Sequence, residues 1–228
     1  MAEKILCVVA HPDDETFGPG ATLAKHAAAG DPVSVFVLAD GVGSRMGPRA
    51  GPLALGGLSE AVKERHGMFR RACKILGTED VWLYQFTDNA MDTVPLLQVV
   101  QQVERHVKRF EPTVVYTHWS GDLNQDHRVV HDAVNIACRP APGCTVRKLL
   151  YFEVPCSTAW GMNFSPNYFV NVEATIEKKI EACKEYATEL REPPHPRSLA
   201  AVVRRSEFRG ANVGISCAEA FSIGRIIE

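Results

Sequence analysis

Short apolar runs rich in β-branched residues recur along the first two thirds of the chain, about thirty residues apart, and this beat constrains the fold more than any other feature. The runs are Ile5–Ala10, Val33–Leu38, Val81–Tyr84, Val114–Thr117 and Leu149–Phe152. They are apolar at consecutive positions, as parallel strands must be when helices cover both faces of their sheet. Helix-like stretches fill the gaps. Ala21–Ala29 stops at Gly30, the residue type that most readily takes the left-handed conformation ending a helix. Ser59 can cap a second helix, whose apolar stripe runs Val62, Phe69, Cys73 and Leu76 before Gly77. A third is predicted from Val94 to Phe110, with Leu97, Val100, Val103 and Val107 on one face. The alternation predicts an α/β fold: a Rossmann-like, doubly wound, mostly parallel sheet with helices on both faces.

The last third loses the beat. Tyr168–Val172 reads as a strand, and Ile176, Ile180, Cys183, Ala187 and Leu190 form an apolar stripe on a charged helix ending near Pro193. That stripe suits docking on the sheet or on a second copy, which leaves room for a homo-oligomer. We expect one domain over 1–228: a Rossmann-like core over about 1–155, and an extension over about 156–228 that completes the site or forms an oligomer interface. The Gly/Pro-rich stretch 41–57 reads as a long loop, of the length usually reserved for function.

Composition narrows the class of partner. A net charge of −2 lacks the basic excess of a nucleic-acid-binding domain. No apolar run approaches the ~20 residues of a membrane span, and the opening Met1–Ala10 is too short, and too soon followed by polar residues, to read as a signal peptide. The seven cysteines include no Cys-x-x-Cys pair and read as free thiols of a reducing, cytoplasmic compartment. Any metal must therefore be held by His, Asp or Glu.

Two polar clusters sit where strands should end. His11-Pro12-Asp13-Asp14-Glu15 follows the first run and Asp122–Arg128 follows the fourth. In a 3-2-1-4-5 sheet these ends are neighbours at the point where strand order reverses, the usual ligand crevice of such folds. His11, His127 and one of Asp13 or Asp14 supply a His-His-carboxylate set for zinc, and the other aspartate can take a proton from water. The carboxylates equally suit helix caps, as does Asp126 before a helix beginning near Val129. His131 stands at ligand spacing from His127, and His118 just past the fourth strand is a further participant. Arg45 and Asp88 follow strands two and three, where an arginine and a carboxylate suit sugar hydroxyls, or a phosphate in the case of the arginine.

The Ala10–Glu15 signature resembles that of the zinc-dependent N-deacetylases of the LmbE-like, or PIG-L, family. Asp40–Arg45, Ile75–Gly77, Thr87–Asn89, Asp126–Arg128 and Phe152–Pro155 agree with it in order and spacing, and His195–Ser198 and Ala218–Phe221 agree more loosely. The resemblance implies that His11, Asp14 and His127 hold zinc, or another divalent metal, and that Asp13 is the general base for attack of water on an acetamido carbonyl. It further implies an orienting role for Asp126 and substrate contacts from Arg65. One departure stands out. Many members carry a histidine three residues before the last ligand, and here that position is Asn124, whose amide can donate to an oxyanion but cannot shuttle a proton. The proton must then return from Asp13 or pass through His118, His131 or His195. The stretch Thr117–Arg128, with Cys138-Arg139-Pro140, resembles the bacterial branch associated with surface-polysaccharide biosynthesis, which implies an acetamido-sugar or nucleotide-sugar substrate. Two competing readings remain: an amidase acting on a non-sugar amide, and a non-catalytic nucleotide- or sugar-binding protein. The second is disfavoured because the first turn lacks Gly-x-Gly-x-x-Gly and its carboxylates repel a pyrophosphate.

Overall fold

The computed structural model describes residues 2–42, 60–78 and 80–228. Arg45, Ser59 and most of the stretch 41–57 lie outside the described residues. Seven strands form one mixed sheet in the order β3-β2-β1-β4-β5-β7-β6. They are β1 (Ile5–Val9), β2 (Val33–Ala39), β3 (Asp80–Phe86), β4 (Val114–His118), β5 (Lys148–Phe152), β6 (Tyr168–Asn171) and β7 (Ala218–Ile226). The first five run parallel. β7 inserts antiparallel between β5 and β6. The helices are α1 (Asp14–Phe17), α2 (Gly20–Ala28), α3 (Glu60–Leu76), α4 (Leu96–Phe110), α5 (Gln125–Ala137), α6 (Ile176–Glu185) and α7 (Leu199–Ala211). None of the described helices is long and apolar enough to cross a membrane.

Alternation along β1 explains why its run is apolar throughout. Ile5, Cys7 and Val9 enter a core with Phe17, Leu23, Phe69 and Cys183, on the side covered by α1–α3, α6 and α7. Leu6, Val8 and Ala10 enter a second core with Val99, Val103, Val130 and Val134 of α4 and α5. Gly30, at φ 83°, follows the end of α2 in the left-handed conformation expected of it.

Three expectations change. α5 starts at Gln125 rather than near Val129, because the Asn124 side chain accepts the Asp126 N–H and caps the helix there. The cap is therefore Asn124, and the following turn carries Asp126 and His127. On α4, Leu97 is 64% exposed, and the buried face is Val99, Val100 and Val103 with His106. α6 ends at Glu185 instead of continuing to Pro193. Its buried residues, Lys179, Ala182 and Cys183, face α2 and α3; of the expected stripe Cys183 alone is fully buried, Ile176, Ile180 and Leu190 are half-buried, and Ala187 is exposed. Both α7 and β7 escape the periodicity, since β7 is buried only over its first half.

Candidate active site

β1 and β4 are hydrogen-bonded neighbours, with β2 and β3 to one side and β5 to the other. Their carboxyl ends therefore meet where strand order reverses, and the two polar clusters meet there. His11 leaves β1, Asp13 stands at the N-cap position of α1 without a capping side-chain bond, Asp14 opens the helix, and His127 sits in the first turn of α5.

Three donor atoms form a near-equilateral triangle. His11 Nδ1 lies 3.3 Å from Asp14 Oδ2, His127 Nε2 lies 3.3 Å from the same oxygen, and the two nitrogens are 3.3 Å apart. Donors placed ~2.0–2.1 Å from a tetrahedral cation stand about 3.3–3.4 Å from one another, so the triangle matches one face of a zinc coordination shell. Asp14 is fully buried, and its Oδ1 has no hydrogen-bond partner. Burial pushes the Asp14 carboxyl upward, but His127, His118 and His11 together hold it well below the usual range.

Carboxylates stand behind both imidazoles. His11 Nε2 is 3.0 Å from Asp88 Oδ1 and 3.1 Å from Asp126 Oδ2. His127 Nδ1 is 3.2 Å from Asp122 Oδ1, an ion-pair contact whose angle falls outside hydrogen-bonding geometry. Burial opposes protonation of His127, yet Asp14 and Asp122 raise it to about 9. Such backing orients a ligating ring and fixes which nitrogen keeps its proton. Asp126 is anchored in turn, accepting the Asn89 N–H at 2.7 Å and the Met91 N–H at 3.0 Å. Asp122 accepts the Thr158 and Ser157 hydroxyls and the Asn124 N–H. His11, Asp88 and Asp126 form a second cluster of possible metal donors, but the committed backbone bonds of Asp126 suit it better to hold His11. A third cluster, Glu3, His26 and Asp31, lies at the opposite ends of the strands, and both nitrogens of its histidine are engaged, by Asp31 and Tyr116.

Asp13 adopts φ 131°, a strained value for any residue with a side chain. Glu15 holds the turn, its Oε2 accepting the Asp13 N–H at 2.9 Å while Oε1 accepts the hydroxyls of Thr16 and Tyr186. Burial raises Glu15 to about 7. Asp13 Oδ2 accepts from Arg197 Nη1 at 2.9 Å and lies 3.7 Å from Arg65 Nη1, whereas Oδ1 has no hydrogen-bond partner. Burial raises the Asp13 carboxyl above its ordinary value, against the pull of Arg197.

A cleft of about 250 Å³ opens over these groups, lined among the described residues by His11, Asp13, Arg65, Asp88, Asn124 and His195, with Arg191 and Arg197 beside them. Arg65 is 4% exposed; its Nη2 is ion-paired with Glu189, while its Nη1 has no hydrogen-bond partner among the described residues. Asn124 spends both ends of its amide, Oδ1 on the Asp126 N–H and Nδ2 on Asn89 Oδ1. His118 stands apart from the cleft: fully buried, it accepts the Ala10 N–H and stacks behind His127 with ring centres 3.9 Å apart. His131 donates to or accepts from nothing in the cleft, its Nδ1 meeting the His118 carbonyl at 2.9 Å.

Sequence reasoning assigned no role to Arg197, Glu189, Asp122 or Cys156, all of which stand at the site. Arg197 lay inside the loosely matching His195–Ser198 and Asp122 opened the second cluster, so both carried a signal. Glu189 read as the polar side of a helix, and nothing local marks it.

The profile of the PIG-L family, described as GlcNAc-PI de-N-acetylase, matches residues 6–138. The uncharacterized deacetylase YaiS of Escherichia coli (strain K12) is 29% identical over 188 residues, covering 80% of this chain and 89% of the relative. The diacetylchitobiose deacetylase of Thermococcus kodakarensis is 25% identical over 200 residues, covering 83% and 71%. In three dimensions the conserved protein TT1542 from Thermus thermophilus superposes with a TM-score of 0.76 at 24% identity, covering 99% of this chain and 96% of the other. With its signature at the strand ends and the family profile spanning β1 to α5, this chain is a member of the PIG-L family of de-N-acetylases.

Proposed function

We propose that the chain hydrolyses the N-acetyl group of an acetamido sugar, with a divalent cation, zinc by preference, held by His11, Asp14 and His127. The observation that carries this reading is the 3.3 Å donor triangle with Asp13 beside it on the same cleft. A cation bound there supplies Lewis acidity, polarising the acetamido carbonyl and favouring the ionised form of water. Asp13 accepts a proton through Oδ1 while Oδ2 stays tied to Arg197, and Glu15 keeps the strained backbone from relaxing. The oxygen of water adds to the carbonyl carbon, the C–N bond breaks, and the proton held by Asp13 passes to the departing amine. Acetate and a free amino sugar result. Asn124 can turn its Nδ2 from Asn89 towards developing negative charge. Of the three histidines considered as proton donors, His195 is the one on the cleft.

Asp88 and Arg65 line the cleft and suit sugar hydroxyls, and the diacetylchitobiose deacetylase among the relatives supports an acetamido sugar. Arg191, exposed on the cleft and without an ion pair among the described residues, is the group that a nucleotide-linked form of the sugar would engage. We read 1–228 as one functional unit, because the cleft draws Arg191, His195 and Arg197 from beyond residue 155. The free state of all seven cysteines, five of them buried, supports a reducing compartment. The test is acetate release from a panel of N-acetylated sugars, glycosides and nucleotide sugars, with zinc and with a chelator. Zinc-dependent release from at least one sugar is expected. Release confined to non-sugar amides, or none from any substrate, overturns the reading.

A further inference from the structure

The cleft is polar almost throughout, but its rim changes character abruptly. Leu123, Trp160 and Met162 are 55%, 57% and 71% exposed, which places three large apolar side chains in water within two short segments. The segments are clamped together. The Met162 N–H donates to the Gly121 carbonyl at 2.7 Å, and the Leu123 N–H donates to the Ser157 carbonyl at 3.0 Å. A Cβ on Gly161 would sit 2.4 Å from the Gly121 carbonyl oxygen and 2.8 Å from the Leu123 nitrogen, so only glycine allows this approach. The rim adjoins the cleft at three points. Leu123 precedes Asn124, the Trp160 N–H donates to the carbonyl of Cys156, and the Trp160 ring meets that of His195 edge-on at 5.8 Å.

A cleft of about 250 Å³ is smaller than the roughly 300–1,000 Å³ that encloses a drug-sized ligand. A single sugar ring fits such a volume, and a group attached to it that leaves beside Asn124 and His195 would pass over the rim. Apolar side chains gathered at the mouth of a polar site mark a surface that an apolar group covers. Building on the deacetylase reading, we infer that Leu123, Trp160 and Met162 form a subsite for an apolar aglycone, an alkyl or aryl group carried by the acetamido sugar. Burial of two methylenes suffices for about a tenfold preference.

The test compares kcat/KM for acetate release from methyl and octyl glycosides of N-acetylglucosamine and from its uridine diphosphate ester. The wild-type chain is expected to favour octyl over methyl by about tenfold, mainly through KM. Trp160→Ala combined with Met162→Ser is expected to bring that ratio close to one, with the melting temperature kept, because both side chains are exposed. Equal kcat/KM for methyl and octyl glycosides overturns the inference while leaving the deacetylase reading intact. A nucleotide ester that outperforms the octyl glycoside overturns it too, as does a dimer dispersed by Met162→Asp, which assigns the rim to a second copy. No release from any sugar points instead to failure of the deacetylase reading itself.

Discussion

Asp126→Asn probes the site through a group that lies outside the proposed ligands. The native carboxylate accepts from three donors: Oδ1 from the Met91 N–H, and Oδ2 from the Asn89 N–H and His11 Nε2. An amide offers one acceptor and one donor. If its nitrogen takes the Oδ2 position, it opposes both Asn89 and His11; if it takes the Oδ1 position, it opposes Met91 alone. The second orientation costs less. It leaves the Met91 N–H facing the new amide NH2, donor to donor, at about 1–3 kcal/mol for each buried N–H without a partner, which lowers the melting temperature by about 2–4 °C per kcal/mol in a chain of this size. His11 keeps a hydrogen bond, now to a neutral acceptor about half as strong. Loss of such backing typically weakens metal binding 10–100-fold, and retention of the bond puts the expected loss near tenfold. Asp126→Ala, which removes both oxygens of this side chain and leaves His11 Nε2 with Asp88 Oδ1 alone at 3.0 Å, should lose more, towards 100-fold. The assay is chelator competition for zinc, paired with thermal melting. Wild-type zinc affinity in both variants would refute the argument that Asp126 holds His11 for the metal.

Other outcomes follow from the same geometry. Asp13→Asn should retain zinc and lose turnover by about 10²–10⁴-fold, checked by metal analysis and acetate release on one preparation. Lys179→Met should destabilise the chain by about 3 kcal/mol in urea unfolding, because Glu219, which Lys179 meets at 2.6 Å, then stays buried with only the Ala21 and Thr22 N–H groups as partners. His106 is held neutral, its pKa lowered from 6.5 to about 4 by burial and then by Arg109. The unfolded chain therefore takes up a proton that the folded chain refuses. Stability from this group is complete above pH ~6.5 and falls by about 1–3 kcal/mol as the pH drops towards 4. His106→Gln should flatten that stretch of the stability–pH curve, and an unchanged slope would count against it.

The parallel half of the sheet was legible because β1, β2, β4 and β5 are buried on both faces, which writes consecutive apolar residues into the sequence, whereas β3 at the sheet edge keeps Trp82 and Tyr84 exposed. Topology then made the site legible, since neighbouring β1 and β4 bring His11 and Asp14 to His127 across more than a hundred residues. The antiparallel half hid. β7 buries Ala218–Phe221 and exposes much of Ser222–Ile226, so neither a period of two nor an apolar run marks it. Leu97 misled because its spacing suits the α4 stripe while its position near the amino end of that helix lies past the edge of the core. Asn124 was weighed only as a stand-in for a histidine, whereas its cap bond to Asp126 depends on a helix start that an apolar period could not locate. The Asp13–Arg197–Glu189–Arg65 network joins elements far apart in sequence, and its charges read one by one as solvated surface.

The central claim is that His11, Asp14 and His127 together hold one divalent cation on which amide hydrolysis depends. The most direct measurement is metal content per chain, taken alongside acetate release from an N-acetylated sugar before and after chelation. We predict about one equivalent of zinc in the wild-type chain, activity that disappears with the metal and returns on its addition, and an empty site in His127→Ala. Full activity in a metal-free preparation, or an unchanged equivalent of zinc in His127→Ala, would contradict the account.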